Sequence, residues 1–259
     1  MALNAKSIIL YDNRFDDGLP AATDTASGYD VLNIRDWRTY TFWRAASFGT
    51  KYITVDCGTA KSADALGLIS HNLGAAAATV SVESSATGAW AGEQVERLAG
   101  FVPSNDLAIF KAFTSASARY WRIKIVTASV AAQIAIVILG ARLTMEKYVQ
   151  GEFAPDPEKI EGESTRSRGA GHLLGSVVRH HSRNIKASFR NITPSWFSAT
   201  FKPAWDAHIS LFKPFFWIWD MTNHADQIYL VKAPDGFELS AAYDPTRRSL
   251  SLEFEGVKE

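Results

Sequence analysis

The residues of this 259-residue chain with the chemistry for catalysis or metal binding are six histidines, one cysteine and 27 carboxylates. Their spacing brings few of them together. His180 and His181 are adjacent, and neighbours on a strand point to opposite faces, so they do not share a metal. His71, His172, His208 and His224 lack the short spacings of zinc ligands. Asp12, Asp16 and Asp17 offer oxygens to a hard cation, but they lie in turn-rich sequence where a solvated loop is the simpler reading. Gly58-Thr-Ala-Lys61-Ser62 has no glycine before the lysine and no helix after it, so it cannot cradle a phosphate. Gly169-Ala-Gly171-His-Leu-Leu-Gly175 has one residue too many for a dinucleotide fingerprint and no strand before it. No Gly-x-Ser-x-Gly elbow occurs. The expectation is a protein without catalytic residues, metal or cofactor, one that binds or assembles.

Composition narrows the partners. The chain is 47% apolar and 21% charged, which suits a folded core and argues against disorder. Lys+Arg and Asp+Glu are 27 each, so the formal charge is zero, without the excess a phosphate-backbone binder carries. Nucleic acid is therefore not an expected partner, and near-zero net charge does little to oppose self-association. With Cys57 alone, no intrachain disulfide forms, and assembly in a reducing cytoplasm is expected. Met1 to Leu10 has no long apolar region of a signal peptide, and the longest apolar run, Ile134 to Leu139, is too short to span a bilayer. Neither export nor membrane insertion is expected.

The elements that must position any site are mostly strands. Short β-branched and aromatic runs occur at Ser7–Tyr11, Tyr52–Cys57, Ala65–Ile69, Thr79–Glu83, Ala108–Phe113, Tyr120–Val126 and Ile134–Leu143, separated by Gly, Ser, Asn and Asp. That pattern predicts an antiparallel sandwich over residues 1–145, with no long helix. A second domain is expected over 146–259. It opens with a Gly- and Pro-rich polar stretch, 151–171, read as an extended arm reaching a neighbouring molecule. Strands at Leu173–Arg179 and Ile185–Phe189 should flank a polar turn, His180–Asn184. The one helix is predicted at 194–211: Thr193 caps it, Pro194 starts it, and Phe197, Phe201, Ala204, Trp205, His208 and Phe212 share a face. Pro203 should kink or split it. Strands return at Phe215–Trp219, Gln227–Val231, Phe237–Ala242 and Ser249–Phe254.

Taken in order, the first half carries Val31-Leu-Asn33-Ile-Arg-Asp36, Thr41-Phe42-Trp43, Tyr52-Ile-Thr-Val-Asp56-Cys-Gly58, Val80-Ser-Val-Glu83-Ser-Ser with Gly88 and Trp90, and Arg119-Tyr120-Trp121-Arg122-Ile123. Over roughly residues 20–143 this series resembles the galactose-binding-like, or discoidin-type, domain. The resemblance implies an eight-stranded jelly-roll sandwich in which most of these residues are structural. Asp36 and Arg44 are expected to pair near the loop end. It also implies a ligand site in the end loops. Trp37, Arg38 and Tyr40, between Asp36 and Trp43, are the candidate carbohydrate-binding residues: an aromatic stacks on a sugar face and an arginine bonds hydroxyls.

In the second half, Ser188-Phe-Arg-Asn191-Ile-Thr-Pro-Ser-Trp196, Lys213-Pro-Phe-Phe-Trp217-Ile-Trp219-Asp220 and Leu250-Ser-Leu-Glu-Phe-Glu-Gly256-Val are similar to the tail-tube-related β-sandwich of distal and minor tail proteins of long-tailed phages. The two modules stand in reversed order compared with typical distal tail proteins. The resemblance implies an all-β protein with one inserted helix that assembles as a ring of copies in a virion tail tip or baseplate, after synthesis in the bacterial cytoplasm. Its neighbours would be tail tube, hub and fibre proteins. The alternative is a carbohydrate-binding module for a host cell-surface glycan.

Overall fold

A computed structural model describes residues 5–151, 153–243 and 246–257. The chain divides into two compact units: Ile8–Leu143, and Met1–Ser7 with Thr144–Glu259.

The first unit contains β1 (Ile8–Asn13), β2 (Ala21–Ala22), β3 (Trp43–Arg44), β4 (Gly49–His71), β5 (Thr79–Ser85), β6 (Val95–Phe101), β7 (Ile109–Thr127) and β8 (Gln133–Thr144). It is an antiparallel β-sandwich built around two long strands that serve both layers. The first part of β4 pairs with the last part of β7, from Gly49 opposite Thr127 to Asp56 opposite Tyr120. The later part of β4, Ala65 to His71, pairs with β8. Irregularities between Asp56 and Lys61 and between Ala63 and Ala65 bend β4 from one layer to the other. The two pairs of short strands expected at 52–57 with 65–69 and at 108–113 with 120–126 are thus two continuous strands. One layer runs β2-β4-β7-β5-β6 and the other β1-β8-β4-β7. Between them lies one core that includes Trp43, Ile53, Val55, Leu66, Leu68, Val82, Trp121, Ile123 and Val137. The described helical turns before Met145 are short 3-10 turns at Arg14–Asp16 and Val31–Arg35.

The second unit has a four-stranded antiparallel sheet in the order β13-β14-β10-β9: β9 (Lys159–Arg166), β10 (Leu173–Ile192), β13 (Ser240–Tyr243) and β14 (Arg248–Val257). A hairpin of β11 (Phe215–Ile218) and β12 (Ile228–Val231) packs its aromatics on that sheet. The ring centroids of Phe215 and Phe254, and of Trp217 and Phe254, are 5.1 Å apart, and Phe189 meets Trp217 edge-on at 6.3 Å. All four side chains of the Phe215–Ile218 run are buried.

The helical segment begins where expected. The Thr193 hydroxyl accepts from Trp196 N, and the Glu146 carboxylate accepts from Thr193 N at 2.7 Å and its Oγ1 at 3.0 Å. It is not one regular helix. A π turn at Phe197–Phe201 lets Lys202 N–H bond Phe197 O, and Pro203 then sits at the start of the next α turn, Lys202–Ala207. A proline there has no intrahelical N–H to lose. The backbone then tightens into a 3-10 turn, Ile209–Leu211, and Phe212 turns left-handed at φ 56°. Phe197, Phe201, Ala204, Trp205 and His208 are buried as the face predicts, whereas Phe212, past the end, is 46% exposed.

Two expectations are corrected here. The polar turn at His180–Asn184 does not exist, because β10 runs through it without a break. The segment 151–171, expected as an unpaired extended arm, is from Lys159 to Arg166 a strand paired with β10 of its own unit, in register from Ser182 opposite Lys159 to Leu173 opposite Arg166. An exposed cross-strand ion pair accompanies the pairing, the Arg179 guanidinium meeting Glu163 at 2.7 Å, and the turn closes with Ser167 N donating to His172 O.

Candidate functional site

The predicted site residues lie on the long connection from β2 to β3. Its frame is polar and local. Asp30 caps the 3-10 turn by accepting from Leu32 N at 2.8 Å, and Asn33 Nδ2 donates to Phe42 O at 3.0 Å. The Asp36 carboxylate closes the next loop: one oxygen accepts from Arg38 N at 2.9 Å, the other from Thr41 Oγ1 at 2.6 Å. The far end is fastened by Asp24, which accepts from Lys51 Nζ at 2.6 Å and Ser47 Oγ at 2.8 Å. These bonds, that to Lys51 above all, hold the Asp24 carboxyl below the usual carboxylate range. The buried Trp43 indole donates to Asp24 O at 3.2 Å and anchors the connection in the core.

On this frame Tyr40 is 74% exposed and Arg38 is exposed beside it. Trp37 differs from them: it is half-buried, with its backbone left-handed at φ 63°. On and beside this connection lie three residues that the sequence did not place in the site. The Tyr29 and Phe42 rings stack with centroids 5.0 Å apart and planes 17° apart, and the Arg44 guanidinium lies 5.9 Å from the Tyr29 centroid. Arg44 therefore faces Tyr29, and Asp36 is engaged by Arg38 N and Thr41. An aromatic pair thirteen positions apart has no signature in local spacing. The available signal was the presence of rings in a stretch otherwise rich in Ser, Gly, Asp and Thr.

The motif residues of β4, β5 and β7 form a second cluster with a structural role. The Arg122 guanidinium lies 4.1 Å from the Tyr52 ring centroid and 4.0 Å from that of Trp90, and its Nε donates to Glu83 at 2.6 Å. It thus clamps the β5–β6 turn against the sheet. Inside that turn the Glu93 carboxylate accepts from the Ser85 and Thr87 hydroxyls and from Thr87 and Ala89 N–H groups, which hold its pKa down to about 2. Arg119 meets Asp56 through two 2.7 Å bonds.

The weak chemical candidates are accounted for in the same way. Arg14 sits between Asp12 and Asp17, so a buried guanidinium occupies the place considered for a cation. Burial pushes the Cys57 thiol up to about 11, which keeps it protonated and unreactive. Burial also lowers the His71 pKa, against the pull of Asp106, favouring its neutral form. Among the described residues no group of three or more His, Cys, Asp or Glu side chains is arranged to hold a metal ion. No helix among them is long and apolar enough to cross a membrane.

No protein-family profile matches the chain, and no curated protein does. Solved structures similar to it include the CBM32 of AlyQ in complex with 4,5-unsaturated mannuronic acid, at 24% identity over 46% of this chain and 92% of that one, with a TM-score of 0.39. Chitosan-binding module 1 of a chitosanase/glucanase from Paenibacillus sp. IK-5 shares 16% identity over 49% of this chain and 97% of its own, with a TM-score of 0.40. A CBM32 module from Clostridium perfringens in complex with GalNAc-β-1,3-galactose shares 14% over 51% and 99%, with a TM-score of 0.43.

Proposed function

We propose that the unit Ile8–Leu143 is a non-catalytic carbohydrate-binding module whose ligand rests on the β2–β3 connection. The observation that carries this reading is the braced loop that leaves Arg38 and Tyr40 at the surface on the same connection as the Tyr29–Phe42 stack and Arg44. Aromatic faces take the apolar face of a pyranose, and guanidinium groups donate to hydroxyls or carboxylates. Isothermal titration against a panel of neutral, amino and acidic oligosaccharides tests it. Binding by the intact chain should fall at least about tenfold in Tyr40→Ala or Arg38→Ala, equivalent to about 1.4 kcal/mol, with thermal stability unchanged because both side chains are exposed. Binding that survives both substitutions would move the site elsewhere.

A second reading rests on a different observation. From Lys159 to His181 the β9–β10 ribbon is exposed almost throughout, and it presents Ile160, Leu173, Leu174, Val177 and Val178 to the surface. A two-stranded ribbon is marginal alone in water, and such a surface suits assembly. In this reading the chain is a structural protein of a phage tail tip or baseplate, made in the bacterial cytoplasm and carried in the virion. Copies would form a ring beside tail tube, hub and fibre proteins, with the sandwich as a docking or glycan-binding decoration. Mass spectrometry of purified particles tests it: the chain should co-purify in fixed stoichiometry, and its absence from particles produced by cells that make it would remove this reading.

A further inference from the structure

His71 is a titratable ring that the first unit buries at the end of β4. It pairs with Ile134 of β8, and its side chain has no solvent exposure. Its Nδ1 accepts from Leu73 N at 3.2 Å, so the neutral ring carries its proton on Nε2. That Nε2 is buried and has no hydrogen-bond partner among the described residues. The ring is approached by three segments: 72–78 and 131–134, which hold no titratable side chain, and 102–108, which holds Asp106. Asp106 Oδ1 lies 3.9 Å from the ring Nδ1. The same oxygen accepts from Gly74 N at 2.7 Å and Ala75 N at 3.0 Å, and so fixes the turn that follows β4.

Protonation disturbs each of these bonds. An imidazolium has a proton on both nitrogens, so Nδ1 can no longer accept from Leu73 N. It would donate to the Asp106 carboxylate instead, in competition with the Gly74 and Ala75 N–H groups. The turn is also tied to the strand that carries Arg44. Asn72 Nδ2 donates to Ala131 O at 2.9 Å, and Asn72 Oδ1 accepts from Gln133 N at 2.8 Å. On its other side the same segment takes Ala45 N on Ala132 O at 2.9 Å, and pairs Gln133 with Arg44 and Ile134 with Trp43. The segment 131–134 therefore joins the His71 turn to β3.

We propose that His71 is an acid-operated latch for the β2–β3 connection: its protonation frees the turn after β4, and the release passes through 131–134 to Trp43–Ala45. The effect on a saccharide rests on the carbohydrate-binding reading. The sign follows from burial, which lowers the His71 pKa in the closed form, whereas the opened ring titrates near about 6.5. Below that pH the open form binds protons that the closed form does not. Opening should therefore rise by up to about tenfold per pH unit, until the closed form is protonated as well.

Amide hydrogen exchange of the full chain, read by NMR and corrected for the intrinsic effect of pH, tests the latch. Between about pH 7.5 and 5.5, where carboxylates stay ionised, opening at Leu73, Gly74, Ala75, Gln133 and Ala45 should increase about three- to tenfold. Ile123, in the core of β7, should not respond. In His71→Asn the increase should vanish, because the amide oxygen still accepts from Leu73 N and does not titrate. Asp106→Asn keeps an acceptor for the turn and removes the charge, so the onset should move to lower pH. An increase that persists in His71→Asn, an onset unmoved by Asp106→Asn, or a response that stops at Ala75 would each overturn the latch. The tightest-binding saccharide of the titration panel, at about ten times its Kd, should suppress opening at pH 5.5 by about tenfold. If no saccharide binds while the exchange pattern appears, the carbohydrate reading falls and the latch stands. A saccharide that binds without protecting Leu73–Ala75 leaves that reading standing and overturns the coupling of His71 to the site.

Discussion

Replacing Trp217 by alanine should destabilise the second unit by about 3–5 kcal/mol, a typical cost for truncating a large buried aromatic. Trp217 is fully buried between Phe189 and Phe254, at 6.3 and 5.1 Å between ring centroids. It therefore joins the β11–β12 hairpin to the four-stranded sheet. The indole Nε1 is buried with no hydrogen-bond partner among the described residues, so part of what the ring contributes offsets an unsatisfied donor. Trp217→Phe should consequently cost much less than Trp217→Ala, because it keeps the ring contacts and removes the orphan N–H. Thermal unfolding followed by near-UV circular dichroism provides the check. A drop of about 10 °C or more for alanine and a few degrees for phenylalanine is expected. Equal losses for the two would show that ring contact is not what holds the hairpin to the sheet.

The parts of this fold that were legible in the sequence are those buried on at least one face. The core residues of β4, β7 and β8 alternate or run apolar, so Ile53, Val55, Trp121, Ile123 and the Ile134–Leu139 run disclosed their strands. The joins between them did not. Gly58, Thr59 and Lys61 carry turn chemistry, yet β4 passes through them as an irregularity, because its partner β7 bends with it. Strand β6 was missed because most of Val95–Phe101 is exposed or half-buried, which erases the period-2 signal. The ribbon erased it more completely: Lys159–Arg166 reads as a polar arm because neither face is covered there, and His180–Asn184 reads as a turn because its side chains are all polar, even where Arg183 packs on the Tyr229 ring.

The site was legible to a similar extent. Trp37, Arg38 and Tyr40 announce themselves as rings and a guanidinium in a turn-rich stretch, and Arg38 and Tyr40 do reach the surface. The stack of Tyr29, Phe42 and Arg44 did not announce itself, since it arises only when the Asn33–Phe42 bond folds the connection back on itself. Asp36 was assigned the wrong partner for the same reason. A carboxylate in a tight loop bonds the nearest N–H and hydroxyl before it reaches a distant guanidinium. The helix start could be read from Thr193-Pro194, but the π turn could not, because it adapts the hydrogen-bond ladder to Pro203 in three dimensions.

Gly140→Ala should be the most damaging glycine-to-alanine change among the described residues, with loss of about 4 kcal/mol or more, or failure to accumulate soluble protein. Gly140 lies on β8, where β1 passes so close that a Cβ would sit 1.5 Å from Asp12 O. Asp12 O is backbone, so no rotamer change relieves the clash, and β1 would have to move away from β8. That movement would also strain two bonds of the buried Asn13 side chain, Nδ2 to Val137 O at 3.0 Å and Leu139 N to Oδ1 at 3.1 Å. Stranding those groups costs about 1–3 kcal/mol each on top of the lost packing. Gly151→Ala is the control: a Cβ there meets nothing within 4 Å, and its effect should stay within about 0.5 kcal/mol. Denaturant titration of both variants, with intact chain alongside, measures the difference. A Gly140→Ala protein that unfolds at the same denaturant concentration as the control would show that β1 does not lie against β8 as described.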